Sequence, residues 1–231
     1  MLFKALFFPQ KCLVCGQFSK QTLCNSCLSE AKFVYTPFCP VCQKPSIEGQ
    51  PHFSCKNRYT PLVLITPYYF SGSVKSAIKL SKYTKKAFVL SDYLVKYTLN
   101  YSEQFNYNVL KGFSLCAIPS DPVRLKKRGF NLPNVISRSL AKNLDLKQSH
   151  ILLKPKPTEP LYKLNKKKRA ELVKGEFKVK SGVNVPANVC LVDDIFTTGA
   201  TMHEACKTLK KAGVKNIICF ALSYQSLSKL E

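Results

Sequence analysis

Residues 189–201 constrain this chain more tightly than any other stretch. They read Val189-Cys190-Leu191-Val192-Asp193-Asp194-Ile195-Phe196-Thr197-Thr198-Gly199-Ala200-Thr201. Cys190–Val192 is a short apolar run of the kind found in strands covered on both faces. Asp193 and Asp194 are expected at its carboxyl end, the edge where open α/β sheets place ligands. A helix beginning near Met202 is expected next, with its positive pole toward the loop between. Thr197, Thr198, Gly199, Ala200 and Thr201 then form a phosphate cradle of hydroxyls, backbone N–H groups and a glycine that lets a ligand approach. Two acids just before such a cradle suit the hydroxyls of a sugar, or Mg²⁺ held by that sugar and its phosphates.

Strand–helix–strand order recurs along the chain. Leu62–Thr66, Leu115–Pro119 and Val214–Leu222 read as further strands, and residues 74–83, 87–99, 134–144 and 204–212 as helices. Val74, Ala77, Ile78 and Ser81 fall on one helical face. The fold class expected is α/β with a parallel sheet and right-handed crossovers. Ser120-Asp121-Pro122 follows one strand, and residues 123–131 read as a basic loop. Ser120, Arg124, Lys127 and Arg128 thereby offer a second anion site.

Residues 1–58 carry different chemistry. Seven of the eleven cysteines lie there, mostly in Cys-x-x-Cys pairs, which without a signal peptide points to metal rather than disulfides. Cys12, Cys15, Cys24 and Cys27 make two knuckles that together suit one structural Zn²⁺. Cys39 and Cys42 begin a second set. Either His52 and Cys55 close it as a Cys₃His site, or Cys55 is half of a knuckle whose second half has become Arg58. One or two zincs are therefore expected. The apolar start, residues 1–9, reads as a docking helix, with in-plane membrane contact as the alternative. No apolar run is long enough to span a bilayer.

The chain has 36 basic and 13 acidic residues, a formal charge of +23. Such a charge calls for an anionic partner: nucleic acid, anionic lipid or a highly phosphorylated ligand. Residues 154–180 hold the densest run of lysines and read as a mobile basic segment, either a lid over a bound phosphate or a track for nucleic-acid backbone. Tyr162 and Phe177 within it either stack bases or pack.

The acid-pair loop resembles the signature of type I phosphoribosyltransferases, which bind phosphoribosyl pyrophosphate (PRPP). The whole chain resembles the ComF competence family, a zinc ribbon joined to a phosphoribosyltransferase-like domain. The residues that carry this are the cysteine knuckles, Tyr69-Phe70-Ser71-Gly72, Lys82-Tyr83, Arg128-Gly129-Phe130-Asn131, then Thr158, Pro160, Leu164, Arg169, Gly175 and Phe177, and finally the acid-pair loop. The resemblance implies a zinc-ribbon module at 1–58 and a phosphoribosyltransferase-like domain at 59–231. It implies Mg²⁺ with PRPP, Asp193 and Asp194 on the ribose hydroxyls, Thr197–Thr201 on the 5′-phosphate, and Arg124, Lys127 and Arg128 beside the pyrophosphate.

The same resemblance implies a role in natural transformation, handling single-stranded DNA during uptake. The partners would be a ComFA-type helicase and other uptake components, in the cytoplasm at the inner face of the inner membrane. The alternative is an active Mg-dependent transferase with a nitrogen acceptor. A blander reading is a scaffold whose zinc module docks a partner. Leu132, Leu161 and Leu172 stand where the family carries Gln, Gln and Asn. Each loses an amide able to hydrogen-bond a base, a nucleophile or a phosphate. No side chain stands out as a general base.

Overall fold

A computed structural model describes residues 10–84, 88–101, 105–157 and 174–226. The expected docking helix at 1–9, Tyr162, Leu161, Leu172 and the centre of the basic segment lie outside the described residues.

Helix α1, Asn25–Ser29, belongs to the cysteine region. Strands β1, Val63–Ile65, and β2, Tyr68–Tyr69, lead into α2, Gly72–Tyr83, and α3, Val89–Tyr101. Strand β3, Ser114–Ala117, precedes α4, Pro122–Arg128, and α5, Leu132–Leu144. A small antiparallel hairpin pairs β4, Leu152–Leu153, with β5, Lys178–Val179. Then come β6, Asn188–Phe196, α6, Ala200–Lys211, and β7, Asn216–Tyr224. The main sheet runs β1-β7-β6-β3, every pairing parallel, with β2 also on β7. The fold is thus the expected α/β architecture.

The sheet is buried on both faces because its strands are apolar at successive positions. Cys190 and Val192 face one core with Ala77 and Ile78 of α2, Leu90 and Leu94 of α3, and Ile136 and Leu140 of α5. Val189 and Leu191 face the other, with Met202, Ala205 and Leu209 of α6 and Phe177 from the hairpin. Val74, Ala77, Ile78 and Ser81 are all buried, as their spacing requires.

The cysteine region is not a separate bead. Cys12, Leu23, Cys27 and Leu28 enter the first core, and Val34 and Phe38 enter the second. Its backbone bonds to the strands, Val34 N–H donating to Pro67 O and Tyr69 N–H to Lys32 O, each 2.9 Å. Gly49, at φ +75°, lies so close to the Leu64 carbonyl that a Cβ there would collide with it.

Four local expectations change. Residues 123–131 are not simply a loop, since α4 occupies 122–128. Asp121 caps it by accepting from the Val123 and Arg124 N–H groups, Pro122 pre-sets the first turn, and Gly129 at φ +79° ends it. Strand β6 runs on past the acids to Phe196 because β7 continues to pair with it, Ile195 against Ser223 and Phe196 against Tyr224. Helix α6 starts at Ala200 rather than near Met202. The two ends of the 154–180 segment are ordered: Lys154 and Glu176 form an ion pair, Lys178 lies in β5, and Phe177 is buried in the second core. Phe177 therefore packs and does not stack on bases.

Candidate functional site

Strand β3 ends at Ala117, opposite Val192. Beyond Val192, β6 continues without that neighbour, so Asp193–Phe196 project past the carboxyl end of β3. The turn after β3 runs alongside, its Ile118 N–H donating to Val192 O at 2.8 Å. Ser120 and α4 thus rise beside the acid pair at one sheet edge, where such sheets take ligands.

The two acids differ. Alternation along β6 turns their side chains to opposite faces. Asp194 is buried and meets Lys82, at the end of α2, at 2.7 Å. Asp193 is half-buried and accepts the Asp194 N–H through Oδ1 at 2.8 Å. Burial, and then the charge of Asp194, push its carboxyl up to about 7, against the opposing pull of that N–H, Lys82 and Lys154. A carboxyl held that high gains from any cation or hydroxyl donor brought to it. The pair therefore suits ribose hydroxyls or a divalent ion carried with them, such as Mg²⁺, and Asp193 and Asp194 are the residues that would face it.

The loop after β6 is a tight turn that leads into the first turn of α6. Gly199 adopts φ +78°, and a Cβ there would fall within 2.7 Å of the Phe196 ring and 3.3 Å of the Pro40 carbonyl oxygen. Ala200 and Thr201 open α6, where first-turn N–H groups have no carbonyl within the helix. The Thr198 hydroxyl lies 3.4 Å from the Ala200 N–H.

On the other wall, Arg124, Lys127 and Arg128 are spaced i, i+3 and i+4 on α4, so the helix gathers them on one face. Arg128 sits over the Tyr83 ring at 5.0 Å, and Tyr83 directly follows Lys82. This arrangement brings the basic face of α4 to the end of α2 that holds Asp194. Ser120 donates to Asn131 Oδ1 at 2.6 Å, and Asn131 donates to Ile118 O at 2.9 Å. Ser120 is thus part of the brace that shapes this turn. Leu132 is fully buried in the first core, so side-chain packing accounts for a leucine there.

Two basic residues in the site escaped sequence reasoning. Lys82 entered only as part of the Lys82-Tyr83 pair that carries the resemblance, with no role of its own. Lys154 looked like part of a mobile run, yet its Nζ pairs with Glu176 at 2.9 Å and both side chains are buried. The only local signal was the Lys82-Tyr83 pair at a helix end.

Among the described residues, two clusters of metal-ligating groups exist, Cys12/Cys15/Cys24/Cys27 and Cys39/Cys42/His52/Cys55, each with its donor atoms within 4.8 Å of one another. A Zn²⁺ with four thiolates at ~2.3 Å spaces the sulfurs about 3.8 Å apart. Cys12 and Cys27 Sγ are 3.8 Å apart, and Cys15 and Cys24 Sγ are 3.6 Å apart. In the second cluster His52 Nδ1 lies 3.2 Å from Cys42 Sγ while Nε2–H donates to Pro45 O at 3.0 Å. That bond leaves Nδ1 as the coordinating nitrogen. Both donor sets fit Zn²⁺, and the second closes with His52, while Arg58 lies against Tyr59.

The fold and this edge define a phosphoribosyltransferase-type domain carried with paired zinc-binding knuckles. Comparison with known proteins agrees. Residues 3–57 match a double zinc ribbon domain and residues 126–231 a phosphoribosyl transferase domain. The chain is 28% identical over 240 residues to competence protein ComFC of Streptococcus pneumoniae, covering 92% of this chain and 99% of that one. It is 27% identical over 233 residues to competence protein ComFC of Bacillus subtilis, covering 87% and 89%. It is 32% identical over 113 residues to competence protein F of Haemophilus influenzae, about half of each chain. Over most of its length the chain is thus similar to proteins named competence protein ComFC, with a double zinc ribbon ahead of a phosphoribosyl transferase domain. No helix among the described residues is long and apolar enough to cross a membrane.

Proposed function

We propose that this chain binds a 5-phosphoribosyl ligand such as PRPP together with single-stranded DNA, and acts in DNA uptake during natural transformation. One observation supports the ligand: the acid pair and the Thr197–Thr201 loop lie at the same carboxyl edge of the sheet as the turn into basic α4, whose Arg128 sits over Tyr83, next to the Lys82 that pairs with Asp194. Asp193 and Asp194 hold the ribose hydroxyls. Thr197, Thr198, Gly199, Ala200 and Thr201 wrap the 5′-phosphate. Arg124, Lys127 and Arg128 face the pyrophosphate, and Lys82 orients Asp194. Mg²⁺ bound with PRPP would neutralise its pyrophosphate.

The net charge of +23 supports the nucleic-acid partner, and the likeness to proteins named for competence supports the process. A ComFA-type helicase and a place at the inner face of the inner membrane belong to the same reading. Because phosphate contacts displace counterions, DNA affinity should fall steeply with salt. Anisotropy with a labelled oligonucleotide between 50 and 200 mM salt, values that are roughly those at which such losses are large, tests it; a flat response rejects DNA binding through phosphates.

The same geometry favours a second reading, transfer of the phosphoribosyl group to a nitrogen acceptor. The acceptor nitrogen would bond to the anomeric carbon as the bond to pyrophosphate breaks and the pyrophosphate departs. The Asp193 and Asp194 carboxylates would face the positive charge that develops on the ribose. A pyrophosphate-release assay across purine, pyrimidine, ammonia and DNA acceptors decides it, and silence with all of them rejects transfer.

A further inference from the structure

The Cys39-Pro40-Val41-Cys42 knuckle of the second metal-ligating cluster does more than hold its own loop. Its turn is closed by Gln43 N–H donating to Cys39 O at 3.0 Å and Cys39 N–H to Lys44 O at 2.9 Å. Gln43, directly after Cys42, stands at φ +63°, in the left-handed region. From there its side-chain amide is used at both ends. Nε2 donates to the Thr197 carbonyl at 2.8 Å, and Oε1 accepts from the Tyr224 hydroxyl at 3.2 Å. The Pro40 carbonyl closes over Gly199. Beneath them Phe38 packs against Tyr224 at 3.9 Å and Phe196 at 5.8 Å, all three rings buried. Residues at and flanking Cys39 and Cys42 thus meet the Thr197–Thr201 loop at Thr197 and at Gly199.

We infer that Gln43 is a positioning residue for the Thr197–Thr201 loop, and that metal occupancy at Cys39/Cys42/His52/Cys55 is thereby coupled to phosphoribosyl binding. This inference rests on the ligand reading above. A metal shared by Cys39 and Cys42 fastens the left-handed turn at Gln43 beyond what its two backbone hydrogen bonds do, because a knuckle this short has little core of its own. Releasing the metal lets Gln43 swing off Thr197 and Pro40 off Gly199, and the loop loses its fixed shape. Coupling between sites is reciprocal, so a ligand that fastens the loop also slows loss of the metal.

The test uses the full-length zinc-loaded chain with PRPP and Mg²⁺ as probe. Calorimetry gives the dissociation constant, and a chelator with a colorimetric zinc indicator gives the rate of metal loss. Gln43→Ala is expected to weaken PRPP about 5- to 50-fold with two zincs per chain retained. Gln43→Glu, equal in size but unable to donate to Thr197, weakens it as much. Ile47→Ala, 81% exposed on the same ribbon, changes nothing. Saturating PRPP slows zinc loss severalfold from the wild type and not from Gln43→Ala. Wild-type binding with unchanged affinity in both Gln43 variants, or zinc loss indifferent to PRPP, overturns the coupling alone. A wild type that binds no PRPP overturns the ligand reading and the coupling with it.

Discussion

Asp193 and Asp194 are adjacent in sequence and yet stand in different surroundings. Lys82 partners Asp194, while Asp193 has a backbone N–H and the field of its neighbour. Because the folded-state pKa of Asp193 is raised, its ionised form is the disfavoured one. Its cost to the fold is absent below the ordinary carboxylate range and grows as pH rises toward about 7. Asp193→Asn should therefore stabilise the protein more at high pH than at low. The gain in unfolding free energy between pH ~5 and ~8 is roughly 1–3 kcal/mol, read from urea midpoints. An equal effect at both pH values contradicts the assignment. The acid pair was legible in the sequence because strand, acids and loop are contiguous. Lys82 lies 112 positions away in the chain (194 − 82) and Lys154 belongs to a charge run. Only the fold brings either to the acids, and the one local sign was the Lys82-Tyr83 pair at the end of a helix.

At the scale of elements, α4 is the sharpest difference from expectation. Its sequence is basic, and none of its residues is buried, so no apolar stripe announces it. It exists because Asp121, Pro122 and Gly129 supply a cap, a first turn and a stop. The turn signals were present, but charge outweighed them as a sign of loop. Removing the cap with Asp121→Ala should cost about 1 kcal/mol and let α4 fray, scattering Arg124, Lys127 and Arg128. The measurable result is weaker PRPP binding, about 3- to 10-fold for a loss of that size, with only a small drop in melting temperature. Unchanged affinity would show that α4 does not face the ligand. Strand β6 was also misjudged in length. Its last residues are held by pairing with β7, a long-range partner that a local apolar run cannot reveal.

Over the whole molecule, the cysteine region and the sheet share their cores. Cys12 and Cys27 pack in one, and Phe38, beside Cys39, packs in the other. The knuckles were evident from Cys-x-x-Cys spacing, whereas their docking depends on isolated residues such as Gly49, Val34 and Phe38. Stripping zinc should therefore lower the melting temperature of the whole fold in one cooperative transition. Calorimetric scanning with and without chelator checks this; an unchanged main transition contradicts shared cores.

The charge balance has a similar whole-molecule logic. Asp194, Glu176 and Asp92 are already engaged by Lys82, Lys154 and Lys96. With 36 bases to 13 acids, a large excess of basic residues remains, in keeping with the anionic partner proposed above.

The proposed phosphoribosyl site is built from the acid pair and the loop that follows it. Calorimetry with PRPP and Mg²⁺ on the wild type, Asp193→Asn and Asp194→Asn tests it most directly. The expected result is saturable binding by the wild type, weakened at least about tenfold in each variant (~1.4 kcal/mol), with each variant still folded by circular dichroism. No binding by the wild type, or equal binding by all three, would contradict it.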